Sequence, residues 1–401
     1  MVDRQAIESI AQKLISDKTD VNQSQALAFL LEELLNQIAY SERKIFLQKQ
    51  ARGKDKGNGH YDRTLATSIG NLDISVPRVR SGNFRPSILP PLYQRTHYSY
   101  KELLNTLMIN GYSDTNFYHF FKALNLPYSR TEVKKIKQDL LTRLDDFKTQ
   151  ELPSEVFAMF IDAYHCRMKI KNRVKKVCLF VIAAIDLEAN KIPIGFYLME
   201  GAETKEKWLQ VLNDLVNRGL KKMMLVVSDD FPGLDAAIKS LFPKAEHQLC
   251  YIHLQRNVRR NMSKQDAKVF VSSLTKLRMG DYDFETACSL FLELCERYEK
   301  KYPAFIAYLK KKAENYMAFF KYPESIRKFF YTTNISENIN KQIERMRINL
   351  GGYFQSREVL EINVYLQFIR LENGRWRKGV SELKAKLYEL SQMFAQRYAV
   401  S

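Results

Sequence analysis

VFAMFIDAYHCRMKI, residues 156–170, decides the fold. Val156 to Ile161 form an unbroken apolar run that reads as an interior strand, and one acid, Asp162, interrupts it. A carboxylate in such surroundings is costly unless it is paired or binds a cation. KKVCLFVIAAIDL (175–187) reads as a second strand and KIPIGFYLMEG (191–201) as a third, with links short enough for an antiparallel meander. GAETKEKWLQVLNDLVNRGL (201–220) is an amphipathic helix whose apolar face carries Trp208, Val211, Leu212 and Leu215. KKMMLVVSDDFPGL (221–234) gives a fourth strand ending in Ser228-Asp229-Asp230. A short helix in FPGLDAAIKSLFP (231–243) and a fifth strand in AEHQLC (245–250) complete the order β-β-β-α-β-α-β. Strands joined through helices in this order make a mixed α/β sheet.

That order is the one found in a ribonuclease H-like core, with a mixed five-stranded sheet and flanking helices. It sets Asp162 on the first strand beside Asp229 at the tip of the fourth. Acids at strand ends beside a crevice are where such sheets do chemistry. A third acid comes from TTNISENINKQIERMR (332–347). Ile335, Ile339, Ile343 and Met346 make one helical stripe, and Glu337 lies about 200° around the helix from Ile335. Thr333, Asn334 and Ser336 are capping types, and Lys341 and Arg345 follow Glu337 at helical spacing. Three converging carboxylates repel one another, which a divalent ion relieves. Oxygen ligands suit Mg²⁺, and two such ions roughly 3.5–4 Å apart would serve phosphodiester chemistry. The alternative for the helix alone is a surface element with an acid near its N-terminus.

The 401 residues carry 63 Lys+Arg against 45 Asp+Glu, a net charge of +18 that points to a polyanionic partner. A hydrophobic content of 45% excludes a disordered chain. No apolar run of about 18 residues exists and the N-terminus has no apolar signal core, so no membrane association is expected. Five cysteines, none before Cys166, indicate reduced thiols in a cytoplasm rather than a disulfide framework.

Residues 1–50 read as helical, and the run Leu27, Leu30, Leu31, Leu34, Leu35, Ile38 suits either dimerisation or packing within the chain. Residues 51–95 hold a basic β-hairpin around Gly70-Asn71, with Arg78, Arg80 and Arg85 at its end. A hairpin of this kind tracks phosphates or is simply a solvated face. Residues 96–150 read as helix, turn, helix, the second helix carrying Arg130, Lys134, Lys135 and Lys137 as a recognition helix does. A purely structural helix pair is the alternative. Trp376, between arginines, suits base stacking or the core equally.

FIDAYHCRMK, GAETKEKWLQVLNDLVNRGLKKMMLVVSDDFPGL, HQLCYIHLQRNV and TTNISENINKQIER together resemble the mutator-type transposases of bacterial insertion sequences, from about residue 58 to the C-terminus. The resemblance implies a DDE triad of Asp162, Asp229 and Glu337 holding Mg²⁺, with Mn²⁺ as a substitute. It matches Cys250 and His253 to a Cys-x-x-His pair, followed by Arg256 and Asn257, in supporting roles. As a zinc site that pair lacks two obvious partners, since Cys288 and Cys295 are distant in sequence. Two departures stand out: Asp230 replaces the glycine that usually follows the second acid, which leaves Asp230 as an alternative ligand to the favoured Asp229, and Ser336 replaces an aliphatic residue before the third. Roughly a hundred positions separate Asp229 from Glu337, too many for a simple link. The resemblance implies a core in two parts, 151–258 and 331–401, around an all-α insertion at 259–330.

These readings converge on a DNA transposase that binds terminal inverted repeats, cleaves with Mg²⁺ and transfers a strand to target DNA. Double-stranded DNA is the expected partner, a homodimer or higher assembly the expected form, and the bacterial nucleoid the expected location. Two rivals are a ribonuclease H-like nuclease that cuts without joining, and a transposase-derived DNA-binding protein without catalysis.

Overall fold

The computed structural model describes residues 23–49, 55–90, 102–104, 106–107, 121–122, 130–171, 173–200 and 204–399, apart from the side chains of 23–26, 132, 334, 336 and 337. The chain forms two compact units, 1–139 and 140–401.

In the first unit, α1 (Gln23–Lys49) packs on a hairpin of β1 (Gly57–Thr67) and β2 (Gly70–Val79). Leu65, Leu72, Ile74 and Val76 point to one side of the ribbon, as period-two alternation requires, and meet Leu31 and Leu35 of the helix. Glu32 and Asn36 accept from the backbone N–H groups of Asp73 and Ser75 at 2.7 Å each, so the helix also covers part of the β2 edge. Thr67 pairs with Gly70, so the turn is Ser68-Ile69 and not Gly70-Asn71. Gly70, at φ 139°, begins the returning strand. Leu27, Leu30 and Leu34 remain partly exposed on the far side of α1. The basic helix α2 (Arg130–Thr149) is formed; most of the helix expected before it lies outside the described residues.

The second unit is built on five strands: β3 (Glu155–Ile170), β4 (Arg173–Ile185), β5 (Lys191–Met199), β6 (Lys222–Ser228) and β7 (Glu246–Leu249). Their spatial order is β5-β4-β3-β6-β7. β3, β4 and β5 form an antiparallel meander, and β6 and β7 add parallel to β3. This is the mixed sheet expected from the element order. α3 (Lys205–Asn217) and α4 (Leu234–Leu241) cover one face, where Trp208 is fully buried between Phe180 and Phe231. Thr204 caps α3 by accepting from the Lys207 N–H.

The opposite face is covered by helices α5 (Tyr251–Asn261), α6 (Lys264–Met279), α7 (Phe284–Glu299), α8 (Pro303–Lys311), α9 (Ala313–Met317) and α10 (Glu324–Arg327), together with C-terminal side chains such as Leu383, Leu390 and Phe394. The helical segment expected between the second and third acids is therefore present. Phe157, Tyr322 and Phe330 join the sheet to it through ring contacts of 5.1–6.0 Å. Beyond it come α11 (Asn334–Asn349) and α12 (Arg357–Asn373), then α13 (Ser381–Lys384) and α14 (Leu387–Ala399). Trp376 is buried, which decides for the core and against base stacking.

Candidate active site

The site is a consequence of strand register. Ile161 of β3 pairs with Ser228 of β6 in a parallel ladder, and Asp162 and Asp229 are the next residue on each chain. Parallel neighbours lie about 4.8 Å apart. The two acids therefore leave adjacent strands side by side. Alternation puts Asp162 on the face of Ala158 and Phe160, the side covered by the helical segment.

Asp162 is 5% exposed. Its Oδ1 accepts from the Ala163 N–H at 3.0 Å and its Oδ2 from Asn340 Nδ2 at 2.6 Å. Asn340 stands on α11, three residues after Glu337. The apolar stripe of α11 is buried as the sequence requires, with Ile339 and Ile343 at 0% exposure and Met346 at 2%. The side chain of Glu337 lies outside the described residues, while its backbone is in the first turn of α11. Thr333 occupies the N-cap position without capping: its buried hydroxyl donates to Cys250 Sγ at 3.6 Å instead.

Asp229 faces α5. Cys250 is the N-cap residue of that helix and His253 lies in its first turn; the sulfur, an imidazole nitrogen and an Asp229 oxygen all lie within 4.8 Å of one another. His253 Nδ1 is ion-paired with Asp229 Oδ1. Burial of the ring opposes charge, but Asp229 and then Cys250 outweigh it and push the histidine pKa up to about 10. Arg256 Nη1 lies 2.6 Å from His253 Nε2, on the side of the ring away from Asp229. Asn257 is half-buried on the same helix. The third donor beside the Cys-x-x-His pair is thus Asp229 itself, and neither Cys288 nor Cys295 joins the cluster.

Asp230 is engaged elsewhere. Its Oδ1 pairs with Lys312, and its Oδ2 accepts from the Tyr308 hydroxyl at 2.6 Å. Both partners belong to the helical segment. Lys310 is likewise paired with Glu299, at 2.8 Å, so two of the three consecutive lysines there bind acids within the protein.

A hydrogen-bonded chain steadies the tip of β6. Ser228 Oγ donates to the Asp229 carbonyl at 2.7 Å and lies 2.8 Å from His247 Nε2, while His247 Nδ1 lies 3.0 Å from Asp235 Oδ1. His247 chiefly holds the Asp235 carboxyl well below the usual range against its partial burial, and Lys239 adds to the effect. The sequence reading missed Asn340 and this chain, and it took Thr333 for a capping type. Only Asn340 has a local signal, one helical turn beyond Glu337.

A family model for the Mutator family of transposases matches residues 2–378. The chain belongs to that family. Curated relatives are named as transposases of insertion sequences. The transposase of IS905 from Lactococcus lactis is 25% identical over 90% of this chain and 93% of its own length. That of ISRM3 from Rhizobium meliloti is 24% identical over 86% and 85%. That of IS256 in Tn4001 from Staphylococcus aureus is 25% identical over 66% and 67%. Among the described residues, no helix is long and apolar enough to cross a membrane.

The positions named for DNA contact divide between the two units. Arg78, Arg80, Arg130, Lys134 and Lys135 are exposed in the first unit, with Arg85 and Lys137 half-buried. Arg85 donates to the Pro90 carbonyl. Lys341 and Arg345 are exposed on α11.

Proposed function

We propose that this Mutator-family chain binds the terminal inverted repeats of its insertion sequence, hydrolyses a phosphodiester at the element end with Mg²⁺, and joins the freed 3′-OH to target DNA. The observation that carries the reading is the side-by-side placement of Asp162 and Asp229 on adjacent parallel strands, with α11 tied to Asp162 through Asn340. The strand order and the helical segment before α11 support a ribonuclease H-like core.

The donor set fits a hard divalent cation. The Asp162 carboxylate is buried, and Asn340 Oδ1 is buried without a hydrogen-bond partner among the described residues. Carboxylate oxygens are the ligand type that Mg²⁺ takes from a protein. Asp162 and Asp229, with Glu337 from α11, would hold it, and Mn²⁺ would substitute. When bound, the metal supplies activation of the attacking oxygen and charge neutralisation at the leaving oxygen.

The protein's own groups pre-set this arrangement. Asn340 and the Ala163 N–H fix the Asp162 carboxylate, so little reorganisation remains. His253 holds Asp229 through their ion pair, and Arg256 stands against the ring. Asp230 is held by Lys312 and Tyr308, which supports Asp229 as the second acid of the triad.

The test is cleavage of a labelled duplex carrying the element end. Glu337→Gln and Asp162→Asn are each expected to abolish Mg²⁺-dependent cutting while keeping the gel shift. Cutting by either variant at the unaltered rate would defeat the assignment.

A further inference from the structure

Past the acids, β3 and β4 leave the sheet together. The β3–β6 ladder ends at Ile161 and the β4–β5 ladder begins at Cys178, so residues 166–170 and 173–177 form a two-stranded ribbon. At 3.2–3.4 Å per residue the ribbon extends roughly 16 Å. Phe354 bridges to Met168 on one edge; the β4 edge has no neighbouring strand among the described residues.

The charge on this ribbon is one-sided. Between Ala163 and Val177 the sequence holds Arg167, Lys169, Lys171, Arg173, Lys175 and Lys176 and no acid. All six are exposed, and none is ion-paired with a described residue. Arg167 stands directly opposite Lys176 in the register, and Lys169 opposite the half-exposed Val174, on the same ribbon face. Like charges facing each other across a strand pair destabilise it. A single edge lysine is enough to deter strand pairing; six uncountered cations exceed that need.

We propose that this ribbon is a docking arm for duplex DNA, gripping the phosphates of the helix that leads into the active site. The proposal rests on the transposase reading of that site. An antiparallel ribbon is narrow enough to lie along a DNA groove, and a polyanion relieves the repulsion between Arg167 and Lys176. The arm continues the strand that carries Asp162. Arg167 and Lys169 lie five and seven residues beyond it, roughly 17 and 23 Å along the strand. At 3.4 Å per nucleotide step, these cations meet phosphates about five to seven base pairs from the scissile bond.

The experiment measures binding of the full-length protein to a labelled 30-base-pair duplex of arbitrary sequence, across roughly 50–200 mM salt. Arg167→Gln/Lys169→Gln/Lys176→Gln is compared with a control of equal charge loss, Lys221→Gln/Lys268→Gln/Lys384→Gln, and with a charge-keeping Arg167→Lys/Lys169→Arg/Lys176→Arg variant. The arm variant is expected to bind at least tenfold more weakly and to lower the slope of log K against log salt by about two to three, at about 0.9 per lost phosphate contact. The control and the charge-keeping variant are expected to stay within about twofold of the unaltered protein. An unchanged slope in the arm variant, an equal loss in the control, or a loss in the charge-keeping variant would each overturn the arm while leaving the transposase reading intact. No duplex binding by the unaltered protein would overturn both.

Discussion

Asn340 Nδ2 donates to Asp162 Oδ2 at 2.6 Å, and this bond, with the Tyr164 hydroxyl donating to Glu344, links the helix that carries Glu337 to the strand that carries the first acid. It fixes the rotation of α11 against β3 at the level of the candidate site. Removing a group that orients a ligand costs typically 10–100-fold in metal affinity or activity.

Asn340→Ala is therefore expected to slow Mg²⁺-dependent cleavage by about 10–100-fold with DNA binding unchanged. Raised Mg²⁺ is expected to recover part of the rate. Full activity in this variant would show that α11 is held to the site without this bond.

The consecutive acids Asp229 and Asp230 are expected to separate by phenotype. Asp229→Asn loses cleavage with little change in melting temperature. Asp230→Asn keeps cleavage but loses an ion pair and a hydrogen bond to the helical segment, both partly buried, a destabilisation of about 1–3 kcal/mol. Thermal unfolding and end-cleavage assays on the two variants decide this. The reverse pattern would make Asp230 the ligand.

These relationships were only partly legible in the sequence. The strand order was readable because Val156–Ile161 and Leu179–Ile185 are apolar on both sides of a buried sheet, and the register then brings Asp162 and Asp229 together. The hairpin turn was misplaced because Gly70-Asn71 is a strong turn signal, whereas the glycine serves the first residue after a Ser68-Ile69 turn. Lys312 and Asp230 are 82 positions apart, and no local pattern announces a pair of that kind. Asn340 is marked locally only by standing one helical turn beyond Glu337, and its bond to Asp162, 178 positions away, is not.

Asp235 provides a pH signature. Its carboxyl is held below the usual range, so the stabilisation it gives is present above the ordinary carboxylate pKa near about 4 and is lost as pH falls toward the folded-state value. Asp235→Asn is expected to melt earlier than the unaltered protein at pH 7, with the gap narrowing below about pH 4. Calorimetry over that range checks it. A gap independent of pH would mean that the ion pair through His247 and Lys239 does not carry the effect.

Strand transfer tests the central claim most directly. The purified protein is incubated with a labelled duplex of its own element end and unlabelled target DNA, in Mg²⁺, in Ca²⁺ and in EDTA. The account predicts labelled products longer than the input, formed only with Mg²⁺ and absent in Glu337→Gln. Cut strands without joined products, or joined products that persist in Glu337→Gln, would contradict it.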